Sequence, residues 1–259
     1  MLIASILPVD YLEECKQDDI YMVLLPYLED KKYASFYINR FAGLYDKFTI
    51  LDNGAAEGHK PDLKELLDWA QLLQINELIL PDCIGNRLET ERLVKDALNY
   101  IEGLPSSIKN CLRLMAVPQA LTFHEWLTQA KMFAELSEID TIGIPKHINS
   151  LGKSTRLQLA ACLLHDKNML GKDIHLLGCR DNPYELTEIN QFLPGLIRSC
   201  DSSLPYMCAH EAKSIIFGRS DPNSTITTIN FSEGKMDQER ENILQANLVT
   251  WRGLAHAKM

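Results

Sequence analysis

Five polar residues stand where predicted strands stop: Asp52 after Thr49-Ile50-Leu51, Asp82 after Leu78-Ile79-Leu80-Pro81, Gln119 after Met115-Ala116-Val117-Pro118, Lys146 after Ile142-Gly143-Ile144-Pro145, and Asp201 after the less apolar Leu196-Ile197-Arg198-Ser199-Cys200. A near-continuous apolar run is how a parallel strand buried on both faces reads. The polar residue that follows then marks a strand's carboxyl end. Three carboxylates and an amide gathered in one low-dielectric pocket would repel one another unless they had partners. Such a set suits a ligand rich in N–H donors and a reaction that needs two carboxylates, one to manage a proton and one to meet developing positive charge. Taken singly, each residue has a plainer alternative. Asp52 before Asn53-Gly54 can be a turn residue, Asp82 and Asp201 helix caps, Gln119 a loop hydrogen-bonder and Lys146 a solvated cation.

The elements that must position these residues follow one grammar. Strands are predicted over 1–8, 21–25, 47–51, 77–80, 112–117, 141–144, 174–179, 196–200 and 214–219. Helices are predicted over about 29–44, from the N-cap Asp62 onward, over 87–101, from the capping box Thr122/Glu125 to about Ser137, over 153–165, after Asn182-Pro183, and over 237–248. Tyr33, Phe36, Tyr37 and Phe41 share one face of the first helix. Gly103 and Pro105 close the third. Residues 218–230 read as a long loop rich in Gly, Ser, Asn and Thr. Counted from Tyr21, this gives eight strands about thirty residues apart, nearly all followed by a helix. Strand–helix alternation requires a parallel sheet, and eight units in this length predict an α/β fold, a (β/α)8 TIM barrel, as a single domain over 1–259 with a short N-terminal strand and a C-terminal helix. A doubly wound open sheet competes, weakened by the lack of a G-x-G-x-x-G or Walker loop after any strand.

At 259 residues, such a chain can bury a sizeable core without disulfide or metal staples. Its seven cysteines are scattered and form no C-x-x-C pair, which suits a reducing cytoplasm. No run is apolar enough to span a bilayer, and the first nine residues lack the basic flank of a signal peptide. The formal charge of −9 argues against a surface coated with phosphate contacts. The segment 143–180, however, carries four Lys and two Arg against two Asp, a local +4. Any polyanion would dock there, and Lys146, His147, Lys153, Arg156 and Arg180 are the candidate phosphate contacts.

In order and spacing, these motifs resemble the tRNA-guanine transglycosylase superfamily, and more closely its DNA-acting branch, the DpdA-type 7-deazaguanine DNA transglycosylases of phages and bacteria. Asp52-Asn53-Gly54-Ala55-Ala56-Glu57 is similar to the family's Asp-Ser-Gly-Gly-Phe-Gln or Asp-Ser-Gly-Ala motif, and Asp82-Cys83 to its Asp-Glu-Cys or Asp-Cys element. Val117-Pro118-Gln119 stands where the family has Val-Gln-Gly, and Asp201-Ser202-Ser203-Leu204-Pro205 resembles Asp-x-x-x-Pro, which carries the nucleophile. The resemblance covers about residues 20–210. It departs at Gly143-Ile144-Pro145, where the family has Gly-Gly-Leu, and after Asp201, where the tRNA enzymes have a Thr-Arg-rich segment and a zinc site. Here only Cys208 and His210 follow, too few ligands for a structural zinc, so no cofactor is expected.

The resemblance implies replacement of guanine in DNA by a 7-deazaguanine such as preQ0, with tRNA as the alternative polymer. Asp201 would capture the sugar and Asp52 would manage the proton on the departing and incoming bases, about 5–6 Å away as in retaining glycosidases. Asp82 can accept both N–H donors of guanine's Watson–Crick edge while the Gln119 amide donates to its carbonyl. Gly54, Ala55, Gly143, Gly178 and Lys146 complete the expected substrate-binding set. Phe123, Trp126 or Tyr206 could stack on the base, although aromatics at helix spacing also read as core. The target nucleotide must be everted from a duplex. The cytoplasm is the expected location, the host's if a phage encodes the chain, and oligomerisation remains open. Two other classes compete: a non-catalytic barrel subunit binding nucleic acid or a partner, and a phosphate-sugar or glycan barrel, disfavoured by the glycine-poor stretch 202–205.

Overall fold

Alternation along each strand divides the apolar residues between two cores. The computed structural model describes residues 1–39, 47–60, 62–151, 155–179, 183–218 and 235–256. Strands β1 (Leu2–Ser5), β2 (Tyr21–Leu24), β3 (Thr49–Asp52), β4 (Glu77–Ile79), β5 (Arg113–Ala116), β6 (Thr141–Pro145), β7 (Asp173–Leu177) and β8 (Ser199–Ser202) are all parallel and pair in the order β1-β8-β7-β6-β5-β4-β3-β2. Helices α1 (Lys31–Ile38), α2 (Leu63–Leu72), α3 (Arg87–Glu102), α4 (Ser106–Lys109), α5 (Phe123–Ala134), α6 (Thr155–Leu164), α7 (Tyr184–Phe192), α8 (Leu204–His210) and α9 (Gln238–His256) lie between and after them. The chain is a (β/α)8 barrel, as its alternation predicts.

Ile3, Val23, Leu51, Leu78, Leu114, Ile142, Ile174 and Cys200 face outward and pack under the helices. Their neighbours Ala4, Met22, Leu24, Ile50, Ile79 and Met115 fill the bore. Asp30, Asp62, Asn86 and Thr122 cap α1, α2, α3 and α5 through side-chain oxygens, satisfying amides left open at a helix start.

The strand count from Tyr21 is corrected. The run 214–219 supplies no barrel strand: Ile215–Phe217 is a single 3-10 turn capped by Ser214, with Ile215 buried and Ile216 and Phe217 exposed. Such a run buries one side chain, whereas a barrel strand must bury both of its faces. The opening segment does so, with Ile3, Ala4 and Ser5 all buried, and its strand pairs with β8. Boundaries also move: α5 stops at Ala134, β8 begins at Ser199, and α9 runs on to His256. Phe41, position 219 and nearly all of the predicted loop 218–230 lie outside the described residues.

β1 and β2 meet at a seam closed by carboxylates. Asp19 Oδ2 accepts from the Ile3 amide at 3.0 Å and Asp18 Oδ2 from the Ser5 amide at 2.6 Å. The C-terminal helix clamps both: Arg252 Nε reaches Asp18 Oδ1 at 2.9 Å and His256 Nε2 reaches Asp19 Oδ2 at 3.0 Å. At the amino ends of the strands an ion cluster plugs the bore. There the fully buried Glu77 receives Arg198 Nη1 at 2.9 Å and Thr141 Oγ1 at 2.5 Å, while Arg113 Nη2 donates to Asp173 at 2.7 Å. Burial pushes the Glu77 carboxyl up, but Arg198's hydrogen bonds and charge outweigh it and the net shift is downward.

Candidate active site

With the amino end plugged, the bore opens at the carboxyl ends of the strands. A cavity of about 260 Å³ sits there, lined among others by Asp52, Asp82, Gln119, Lys146 and Asp201. Five strand-end residues spread over 150 positions of sequence thus face one hollow, floored by Leu24, Ile79, Val117 and Leu177. Burial costs a charge heavily in so apolar a setting unless it is partnered.

Asp201 comes from β8 and is nearly buried. Its Oδ1 faces His175 Nε2 at 3.0 Å and accepts the Gly178 amide at 3.2 Å. Oδ2 has no hydrogen-bond partner among the described residues. Gly178 has φ of +68°, and a side chain there would meet Lys146 at 3.0 Å, so glycine is what lets this amide reach the carboxylate.

Asp52, at the end of β3, accepts the Gly54 amide at 2.7 Å. Burial first, then the Glu57 carboxylate, and more weakly Asp201 and Asp82, push its carboxyl well above the usual range. Glu57 lines the same cavity, and its Oε2 is buried without a hydrogen-bond partner among the described residues. Burial raises Glu57 too, while Lys146 pulls it down.

Asp82 accepts Asn53 Nδ2 at 2.7 Å on one oxygen and Gln119 Nε2 on the other. Gln119 is itself held by its backbone N–H donating to Gln129 Oε1 at 2.6 Å. Burial lifts the Asp82 carboxyl to about 6 against the downward pull of Asn53 and Gln119.

Several expectations change. Gly54 does not line the cavity; with φ of +78° it turns the chain against Pro26, and Ala55 faces the hollow in its place. Gly143 lies beneath the floor, where a Cβ would strike Leu177 and Val117 at 2.9 Å. Trp126 and Tyr206 are core side chains, Phe123 packs against that core, and none of the three touches the cavity. Of the phosphate candidates, Lys146 and His147 stand at the cavity, and Lys153 and Arg180 lie outside the described residues. Arg156 is overturned as a phosphate contact: it is 0 % exposed, paired with Glu185 and donating to the Leu177 and Gly178 carbonyls at 3.2 and 2.7 Å. Its guanidinium ties the β7 loop to α7. Burial and the Arg156 and Lys146 charges push the His147 ring down.

Sequence reasoning missed Glu57, His175 and Asn53. Glu57 and Asn53 belong to the same short segment as Asp52. His175 was legible only through alternation, since it shares the inward face of β7 with Leu177. Among the described residues no group of three or more His, Cys, Asp or Glu could hold a metal, and no helix is long and apolar enough to cross a membrane. All seven cysteines are free.

Fold and site together define a (β/α)8 barrel with an acidic pocket at the carboxyl ends of its strands. No protein-family model matches the chain, and no curated protein matches it significantly.

Proposed function

We propose that the chain is a base-exchange glycosyltransferase that replaces guanine in DNA with a 7-deazaguanine. The observation that carries this is the gathering of Asp52, Asp82, Gln119 and Asp201 around one cavity. About 260 Å³ lies at the small end of ligand pockets, suited to a base rather than a larger ligand. Its aliphatic floor can contact the base's face, and the Asp82–Gln119–Asn53 group can meet its Watson–Crick edge. Asp201, anchored through Oδ1, has Oδ2 available for the anomeric carbon of the everted nucleotide.

In this scheme Oδ2 bonds to C1′ as the C1′–N9 bond breaks, and guanine leaves with its electron pair. Asp52, whose carboxyl burial and Glu57 push toward the protonated form, would give the departing base its proton. The incoming base returns a proton to Asp52 as its own N9 displaces Asp201 from C1′. Two inversions give net retention. Lys146, at the cavity, would meet a flanking phosphate in this scheme.

The test is incubation of the protein with labelled 7-deazaguanine base and either DNA or tRNA. Label in DNA, abolished by Asp201→Asn, supports the proposal. Label in tRNA alone moves the activity to RNA. A biological effect unchanged by Asp201→Asn points to a binding subunit instead.

A further inference from the structure

We propose that Arg198, Ser199 and His175 are positioning residues for Asp201: a hydrogen-bonded chain through the bore that fixes which Asp201 oxygen faces the cavity. This rests on the role proposed for Asp201. In the β7–β8 ladder His175 lies opposite Ser199, one inward-facing position below Asp201. Its ring therefore spans two neighbours of the adjacent strand: Nδ1 is 2.7 Å from Ser199 Oγ and Nε2 is 3.0 Å from Asp201 Oδ1. Arg198 Nε donates to the same Ser199 Oγ at 3.1 Å, and both terminal nitrogens of Arg198 are bound to Glu77 in the plug. His175, Ser199 and Glu77 are 0 % exposed. None of the four lines the cavity.

The proton bookkeeping leaves little choice. An ionised carboxylate only accepts, so the proton must sit on Nε2. Ser199 Oγ already accepts from Arg198, and its single hydroxyl proton is then available to Nδ1. Every group in the chain is satisfied in this arrangement. With the proton moved to Nδ1, the Nε2 lone pair would face the Asp201 oxygen, leaving Nε2 buried without a donor and Oδ1 with the Gly178 amide alone. Since the far end of the chain is locked in the Glu77–Arg198 pair, Asp201 is held from the closed end of the barrel, with Oδ1 engaged and Oδ2 left over. Fully satisfied buried polar chains of this kind rigidify what they touch.

The ring can be read without turnover. ¹⁵N NMR of the imidazole in the full-length protein should show Nε2 protonated, and Ser199→Ala should shift population toward the Nδ1–H form. In the exchange assay Ser199→Ala and His175→Phe should lower kcat by about 10- to 100-fold at an unchanged KM for the base, the loss typical of a misplaced reacting group. His175→Gln, whose amide can still donate to Asp201, should restore most of it. Circular dichroism melts confirm that each variant is folded. An unprotonated Nε2 in the wild type overturns the proposal, as does wild-type kcat in folded His175→Phe. If no base is exchanged by any form, the proposed reaction fails while the ring spectrum still decides whether the chain exists.

Discussion

The Gln119 side-chain amide donates to one oxygen of Asp82 while Asn53 donates to the other at 2.7 Å. The two side chains proposed to read the base's edge are thus hydrogen-bonded to each other. In the proposed reaction a base would share these groups with their existing partners, and the carboxylate has lone pairs left for two more N–H donors.

Binding should therefore follow the ionisation of Asp82, whose carboxyl is lifted to about 6 by burial. Below that pH the neutral group cannot accept both donors; above it, it can. Affinity for 7-deazaguanine, measured by calorimetry, should rise with pH through about 6 and level off. Asp82→Asn should weaken it by about 100-fold and flatten the profile, and adenine should be rejected by about 10⁴-fold because its edge leaves buried acceptors unpaired. Affinity independent of pH between 5 and 8 would contradict this account.

Glu57 has a separable role. Its charge is the largest electrostatic influence holding the Asp52 carboxyl up, after burial itself. Glu57→Gln keeps the shape and removes the charge, so Asp52 should lose its proton at lower pH. The alkaline limb of the exchange rate should move to lower pH, with the acid limb little changed. An unmoved alkaline limb would separate Glu57 from the proton step.

Lys146 and Arg156 should behave oppositely despite their like charge. Lys146→Ala should weaken DNA binding about uniformly across sequences and reduce the salt slope by about one, as loss of one phosphate contact does. Arg156→Ala would strand Glu185 and several carbonyls in the interior, at a cost of about 3–5 kcal/mol in unfolding free energy. Denaturant titration reads that loss directly. A stable Arg156→Ala protein with weakened DNA binding would reverse the assignment.

The seam makes a prediction of its own. Burial raises the Asp18 carboxyl while Arg252 pulls it back down, and Asp18 in turn holds the edge of β1. Arg252→Ala leaves that carboxylate buried without its cation, so stability should fall by about 3 kcal/mol or more at neutral pH. Amide exchange should quicken first at Ile3 and Ser5, whose N–H groups the seam protects. Loss of protection elsewhere first would place the weak point outside the seam.

The barrel was legible because apolar runs, caps and turn residues agree along most of the chain; Asp62, Thr122 and Gly103 all stand at helix ends, where local chemistry puts them. The slip in strand count came from reading Ser214-Ile215-Ile216-Phe217 by composition, when only Ile215 finds a buried place. Strand-end residues were readable since they need only a run and its stop. Arg156 misled because a cation in sequence carries no sign of depth. Its helical spacing to Leu159, Ala160 and Leu163, all buried, was the available clue. His175 was hidden for the converse reason: its partners, Ser199 and Asp201, lie on another strand, and register is a tertiary fact.

The most direct test of the central claim is mass spectrometry of the protein incubated with guanine-containing DNA without acceptor base, quenched by denaturation and digested. The account predicts one modified peptide, carrying a DNA-derived sugar on Asp201 and released when 7-deazaguanine is added before quenching. No adduct on Asp201, together with exchange that persists in Asp201→Asn, would contradict it.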